Sequence, residues 1–202
     1  MKIIKIYLLF CLVTLLLSCS NQQSKPVENE TTNSLEINVP LVPYQQDTIL
    51  REAEIFFGST AQGMADVINQ AFLDNGLPDA YIKGEEAAGS IGIGLKYGHG
   101  DLFLSDGSTS KIFWRGPTIG FDIGGNATKV FILIYDLSSI DSLYQGRFGG
   151  IEGSLYFVGG FGLTYNQKDQ TKLAPVRFGL GWRQGLNIGY LQLSEENTLM
   201  PF

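Results

Sequence analysis

Residues 112–137 read IFWRGPTIGFDIGGNATKVFILIYDL, and this stretch decides the predicted fold. It contains an aromatic strand at Ile112–Trp114, a second strand at Thr118–Ile123 and an apolar run at Val130–Tyr135. The strand pattern breaks at Gly116-Pro117, where glycine and proline interrupt it. The apolar run is rich in β-branched and aromatic side chains, which is typical of a strand buried on both faces. A buried β-sheet is therefore predicted to organise the folded part of the chain.

Short strand-like segments continue on both sides of this stretch. Of the 25 glycines in the chain, 22 lie between Gly84 and Gly189, and aromatic residues are dense in the same region. The predicted strands are Ala88–Tyr97, Asp101–Ser105, Lys111–Arg115, Thr118–Ile123, Lys129–Asp136, Glu152–Gly159, Phe161–Asn166, Pro175–Arg183 and Leu186–Leu193. Further turns are predicted at Gly98-His99-Gly100, Asp106-Gly107, Gly124-Gly125-Asn126 and Gln184-Gly185. Short strands at near-regular spacing indicate a mainly β (α+β) domain built as a small, strongly curved antiparallel barrel.

Two helices are predicted beside the strands. The main helix, at about residues 60–75, has apolar side chains at helical spacing on one face, and Asn75-Gly76 with the following Pro78 ends it. A short helix is predicted at residues 138–144. Residues 49–57 fit neither the helical nor the strand period clearly, and their structure stays open.

The N-terminus resembles a bacterial lipoprotein signal. Residues 1–18 carry two lysines and then an apolar run too short to span a membrane comfortably, and Leu16-Leu17-Ser18-Cys19 resembles a lipobox. The lipobox reading predicts a lipid on Cys19, while the alternative is an ordinary secretion signal with an incidental cysteine. Ser20 favours the outer membrane, facing the periplasm. Residues 19–45 are then a flexible tether, and residues 46–202 form a single domain.

Charge and cysteine content exclude several classes of function. Without residues 1–18 the chain keeps 12 basic and 20 acidic residues, so its net charge falls from −6 to −8. Such an acidic domain is a poor candidate for nucleic-acid binding, which needs a basic surface. Cys11 lies in the removed segment and Cys19 would carry lipid, so neither a disulfide nor a cysteine metal site is expected. We predict no metal and no cofactor.

Four predicted strands share one alternation, with bulky apolar residues on one face and glycine with an occasional charge on the other. These strands lie around Gly92-Gly94, Gly120-Gly124, Gly160-Gly162 and Gly179-Gly181. Either the glycines let a curved sheet bend and the main helix lie close, or the glycine face lines a ligand cavity. The second account predicts Lys96, Arg115, Asp122, Arg177 and Arg183 as ligand-binding residues. Asp122 would then pair with an arginine, because an unpaired buried carboxylate is unfavourable.

Candidate catalytic residues are few. His99 is the only histidine, stands between two glycines and is predicted to be a turn residue. Glu85 and Glu86 are adjacent, so in a strand they point to opposite faces and cannot flank one bond as a glycosidase pair does. Solvation or capping is the favoured role for both. The sequence therefore predicts no catalytic residues and no enzymatic activity.

Several motifs, in this order, resemble the EipA-type family of bacterial periplasmic envelope-integrity proteins. They are Phe56-Phe57-Gly58-Ser59, Tyr81-Ile82-Lys83-Gly84-Glu85-Glu86, Gly94-Leu95-Lys96-Tyr97-Gly98-His99-Gly100, Arg115-Gly116-Pro117-Thr118-Ile119-Gly120-Phe121-Asp122, Gly124-Gly125-Asn126-Ala127 and Leu173-Ala174-Pro175. The resemblance covers residues 51–193. The glycine-rich half is also similar to the lipid-binding SYLF domain.

The resemblance implies a barrel-like domain in the cell envelope, a role in envelope integrity and no known catalysis. Two functional hypotheses follow. The first is a lipoprotein that binds a lipid, an envelope glycan or another amphipathic envelope molecule in the glycine-lined cavity. The second is a structural protein that has a filled interior and contacts other envelope proteins through its surface. In both, the membrane is a partner through the N-terminal lipid and nucleic acid is not.

Overall fold

The computed structural model describes residues 41–58, 62–122, 127–151, 155–179 and 189–197. Within these ranges the chain forms three helices and nine strands. The helices are α1 (Gln46–Phe57), α2 (Gln62–Asn75) and α3 (Ile140–Tyr144). The strands are β1 (Ala80–Leu104), β2 (Thr109–Asp122), β3 (Thr128–Tyr135), β4 (Phe148–Gly150), β5 (Tyr156–Val158), β6 (Phe161–Leu163), β7 (Asn166–Lys168), β8 (Thr171–Phe178) and β9 (Tyr190–Ser194).

The strands form a closed antiparallel barrel. Their order in the sheet is β3-β1-β2-β9-β4-β7-β8-β6-β5, and a further pairing of β3 with β8 closes the sheet on itself. In β3, Ile132 is opposite Ile82 of β1 on one side and opposite Pro175 of β8 on the other. Because β3 has a neighbour on both edges, all its hydrogen-bonding edges are used within the sheet. The predicted barrel is confirmed.

Side chains of β3 alternate between two hydrophobic cores. Val130, Ile132 and Ile134 point into the barrel. The interior core also contains Ala80, Ile82, Leu102, Leu104, Ile112, Trp114, Leu143, Phe148, Leu173, Leu191 and Leu193. The intervening β3 side chains, such as Phe131, face outward and pack under α1 and α2. Residues 130–135 are all at most 1% exposed, so the prediction of a strand buried on both faces is confirmed.

The glycines in the middle of β1 and β2 allow close approaches of the backbone. A Cβ on Gly84 would lie 2.2 Å from the His99 carbonyl oxygen, and one on Gly100 would lie 2.3 Å from the Lys83 carbonyl oxygen. The two ends of β1 therefore lie against each other. A Cβ on Gly116 of β2 would lie 1.9 Å from the Tyr190 carbonyl oxygen. The turn predicted at residues 98–100 and the strand break predicted at Gly116-Pro117 are both wrong, because these glycines leave space for packing within continuous strands.

The main helix and the short helix predicted from the sequence are both present in the structure. The main helix ends at Asn75, and Gly76 follows in the left-handed region with φ of 79°. The short helix α3 begins after Ser139, whose hydroxyl accepts a hydrogen bond of 3.3 Å from the Ser142 amide. Residues 49–57, whose structure the sequence left open, form most of α1 (Gln46–Phe57). No helix in the described ranges combines the length and apolar character needed to cross a bilayer.

The sequence predicted which segments form strands more accurately than where those strands begin and end. The strand β1 begins at Ala80, eight residues before the predicted start, and the three-residue strand β4 was not predicted. The turn at Asp106-Gly107 is confirmed, with φ of 89° at Gly107. The turns predicted at residues 124–126 and 184–185 lie outside the described residues.

Candidate functional site

A buried ion pair lies inside the barrel, next to the apolar interior core. Glu86 of β1 and Arg177 of β8 are 7% and 3% exposed. Arg177 donates from Nε to Glu86 Oε1 at 3.0 Å and from Nη2 to Glu86 Oε2 at 3.2 Å. This two-point geometry matches the planar guanidinium to the carboxylate and fixes the orientation of both groups. Arg177 also donates from Nη1 to the hydroxyl of Thr164, directly after β6, at 3.2 Å, which links the end of β6 to the pair.

Trp114 fills the space beside this ion pair. Its indole Nε1 donates to Glu86 Oε2 at 2.9 Å, and the residue is 2% exposed. A Cβ on Gly98 would lie 2.0 Å from the Trp114 ring, and one on Gly84 would lie 2.7 Å from it. Glycine at these two positions therefore makes room for a large ring, with its polar N–H satisfied by the carboxylate. In this part of the barrel, the space left by the glycines is occupied by the Trp114 ring.

Lys96 lies on the same inner face of β1, further along the strand. Its side chain is partly exposed. Burial lowers the pKa of Lys96 to about 8; the negative charge of Glu86 opposes this change and the positive charge of Arg177 adds to it. Lys96 and Arg177 thus share one carboxylate, and the three groups carry a net charge of about +1 while Lys96 is protonated.

The carboxylate of Glu86 stays ionised at pH values well below those at which an ordinary glutamate becomes protonated. Burial by itself would raise the pKa of Glu86, but the charges of Arg177 and Lys96 and the hydrogen bonds from Arg177 and Trp114 outweigh it. Together they lower the pKa to about 2. The interior of the described barrel is therefore an ionised, hydrogen-bonded layer stacked on an apolar core.

The structure brings two of the predicted ligand-binding residues together. Lys96 and Arg177 lie on the same inner face; Arg177 contacts Glu86 directly, and the charge of Lys96 acts on the same carboxylate. Asp122 is on β2 opposite Ser90, but its side chain is outside the part of the chain that the structure describes. The whole of Arg183 is outside that part as well. Cys19 also lies outside the described residues. The predicted pairing of Asp122 with an arginine stays a prediction.

Arg115 is on the other face of the sheet from Lys96 and Arg177. Trp114 points into the interior core, and successive side chains of a strand point to opposite faces, so Arg115 points outward. Its Nη2 donates to Gln192 Oε1 on β9 at 3.4 Å. The sequence grouped Arg115 with the residues of the glycine face, on the far side of a predicted strand break at Gly116-Pro117. Since β2 is continuous, the alternation runs through the proline and reverses that assignment.

Sequence reasoning missed the role of Glu86. Solvation was favoured for both Glu85 and Glu86, and it holds for Glu85, which is exposed, but not for its buried neighbour. The signal was present in the alternation. If β1 is extended back to Ala80, then Gly84, Glu86 and Lys96 fall on one face. The predicted start at Ala88 hid this relation.

A groove of about 240 Å³ crosses the outer wall of the barrel, over β1, β2 and the end of β9. We call it the outer-wall groove. It is lined by Glu85, Ala87, Tyr97, Gly98, His99, Phe113, Trp114, Arg115, Ala127, Ser194 and Asn197. Two cross-strand pairs form its floor, since Tyr97 is opposite Arg115 and His99 is opposite Phe113. His99 is an exposed strand residue here, so its predicted turn position is wrong.

The groove and the ion pair use opposite faces of β1. Within the described ranges no group of three or more histidine, cysteine, aspartate or glutamate side chains is arranged to hold a metal ion. The described barrel thus has an open groove on its outer face and a hydrogen-bonded ion pair on its inner face.

Comparison with protein families identifies the domain. The family of envelope integrity protein A (EipA) matches residues 42–202, which is most of the chain. The chain belongs to the EipA family. Membership in this family supports a role in the cell envelope, and the resemblance read from the motifs is confirmed.

A solved structure agrees with this family assignment. The chain is similar to a beta-barrel-like, uncharacterized protein from Brucella abortus, with 42% sequence identity and a TM-score of 0.71. The match covers 79% of this chain and 99% of that protein. At this identity the two barrels share their fold. No match is found among curated proteins.

Proposed function

We propose that this EipA-family protein is a non-enzymatic lipoprotein of the outer membrane that faces the periplasm. It supports envelope integrity by binding another envelope component through the outer wall of its barrel. One observation carries the proposal: the described interior side chains are buried and packed against one another, and an open groove lies on the outer wall. The family assignment supports the envelope role.

The filled interior argues against a ligand among the apolar core residues. Trp114 occupies the room that the glycines leave, and Glu86 and Arg177 satisfy each other beside it. A ligand in this space would have to displace a two-point ion pair, which leaves charges without compensation in a poorly solvated site. This favours the second of the two functional hypotheses over the first.

Lipid binding in a glycine-lined cavity stays a prediction. Such a cavity would lie at the end of the barrel beyond the ion pair. Lys96 lies there and is partly exposed. Asp122 and Arg183 would complete that site, and their side chains lie outside the described residues. The outer-wall groove carries the main proposal because all its lining residues are described.

Complementation separates the two faces of the barrel. A deletion strain is challenged with detergent and supplied with the wild-type chain, a groove variant (Tyr97→Ala with Phe113→Ala) or an interior variant (Glu86→Leu with Arg177→Met). We expect the interior variant to restore resistance, because apolar residues of similar volume can replace a buried ion pair. The groove variant should fail although its level in the envelope and its melting temperature match those of the wild type. Full rescue by the groove variant would overturn the proposal.

The lipid anchor has its own test. Cys19→Ser should move the protein from the membrane fraction to a soluble or uncleaved form, whereas Cys11→Ser, in the segment predicted to be removed, should leave its location unchanged. Retention of the Cys19→Ser chain in the outer-membrane fraction as a mature protein would show that the anchor is not at Cys19.

A further inference from the structure

We infer that the outer-wall groove binds a sugar ring of an envelope glycan. This inference rests on the proposed function and names the class of its ligand. It follows from three properties of the groove: an aromatic pair, a mixed set of polar groups without excess charge, and the lack of an aliphatic wall among its described residues.

Tyr97 and Phe113 form the aromatic pair. They stand on neighbouring strands in diagonal positions, since Tyr97 is opposite Arg115 and Phe113 is opposite His99. Diagonal neighbours on one face of a sheet are close enough for aromatic side chains to form one surface. Aromatic faces carry partial negative charge, and the C–H faces of a sugar ring are weakly positive and apolar. A sugar ring can therefore lie against this pair.

The polar groups around this pair supply both donors and acceptors. Glu85 accepts hydrogen bonds, Arg115 donates them, and His99 can do either through its two nitrogens. Ser194 and Asn197 add a hydroxyl and an amide at the β9 end. Sugar hydroxyls both donate and accept, so they match such a set better than a group that only accepts, such as a phosphate.

The charge of the groove points to the same class. One carboxylate and one guanidinium balance each other, which selects neither anions nor cations. The lining contains no leucine, isoleucine, valine or methionine, so an acyl chain would find aromatic edges and alanine but no aliphatic wall. The volume of about 240 Å³ lies just below the range usual for drug-sized ligands, which suits one or two sugar rings.

Two envelope glycans share this chemistry, the strands of peptidoglycan and the polysaccharide of lipopolysaccharide. The test uses the full-length protein in detergent micelles and isothermal titration calorimetry. One arm titrates disaccharide fragments of peptidoglycan, a second titrates polysaccharide released from lipopolysaccharide, and a third titrates short-chain phosphatidylglycerol. Binding of either glycan supports the inference and identifies the source. Binding of phosphatidylglycerol alone overturns it.

Variants place the binding in the groove. Tyr97→Ala and Phe113→Ala should each weaken glycan binding at least tenfold, about 1.4 kcal/mol. Phe178→Ala is the matched control, because Phe178 is an aromatic residue 51% exposed elsewhere on the surface, and it should leave affinity unchanged. Glu85→Gln changes an exposed side chain without affecting the core, so it tests the groove even if an aromatic variant fails to fold; we expect a threefold or greater loss. Equal affinity for wild type and all folded groove variants overturns the inference.

The outcomes distinguish this inference from the proposed function. If no glycan binds but groove variants still fail to complement the deletion strain, the ligand class is wrong and the proposed function stands. If groove variants complement fully, the proposed function fails as well.

Discussion

Replacing Glu86 by glutamine removes a negative charge from the barrel interior and keeps nearly the same side-chain volume. Arg177 then stays 3% exposed beside an amide that cannot neutralise it. Removing one partner of a buried ion pair usually destabilises a protein by about 3–5 kcal/mol. For a domain of this size, that corresponds to a fall in melting temperature of roughly 6–20 °C.

The pKa of Glu86 gives a second route to the same magnitude. The folded-state pKa is about 2, against an ordinary value of 4.5. Because it is lowered on folding, the carboxylate stabilises the fold above pH 4.5, and this contribution is lost as the pH falls toward 2. The difference corresponds to roughly 3 kcal/mol, which agrees with the range for a broken pair.

Urea unfolding followed by circular dichroism measures both effects. Glu86→Gln should unfold at lower urea at pH 7, and its stability should fall less steeply than that of the wild type between pH 4.5 and 2. The matched variant Glu85→Gln changes an exposed neighbour and should stay within about 0.5 kcal/mol of the wild type. A loss below about 1 kcal/mol for Glu86→Gln, with an unchanged acid profile, would refute the buried pair.

Three further predictions concern the same barrel. The pKa of Lys96 is lowered to about 8 from 10.5, so the protonated side chain destabilises the folded state. The stability of the wild type relative to Lys96→Met, measured by urea unfolding, should therefore rise from pH 8 toward pH 10.5. A constant difference over this range would contradict the prediction. Gly116→Ala places a Cβ 1.9 Å from a backbone oxygen and should destabilise by about 3 kcal/mol or abolish folding, whereas Gly149→Ala, with its nearest atom at 3.9 Å, should change the melting temperature little. Tyr135→Phe should be neutral or stabilise by about 1 kcal/mol in the same assay, since the buried Tyr135 hydroxyl has no hydrogen-bond partner within the described ranges; a loss above about 1 kcal/mol would point to one.

Features that depend on local periodicity were predicted correctly from the sequence. The apolar run at residues 130–135 predicted a doubly buried strand, and the spacing of apolar residues over about 60–75 predicted the main helix, because both patterns follow from burial of one local face. The alternation of bulky residues and glycine also gave the correct inner positions of Lys96 and Arg177.

Other features depended on partners distant in sequence. The sequence does not distinguish a glycine that forms a turn from one that leaves space for a neighbouring side chain. The role of Gly98 became clear only from the structure, in which the Trp114 ring lies against it. The ion pair joins residues 86 and 177, and no local pattern pairs two residues so far apart in the sequence. The outer-wall groove was missed because it is formed by Tyr97, Phe113 and residues of β9 that only the closed sheet brings together.

The double pairing of β3 has a consequence for the order of folding. Its Ile132 meets Ile82, 50 positions earlier, and Pro175, 43 positions later. Contacts over such separations slow folding, since the entropy of closing long loops is lost before the strands are stabilised. A chain truncated before Thr171 lacks the strand that covers the second edge of β3. It should therefore expose an apolar strand edge prone to aggregation, so closure has to wait until nearly the whole chain is available.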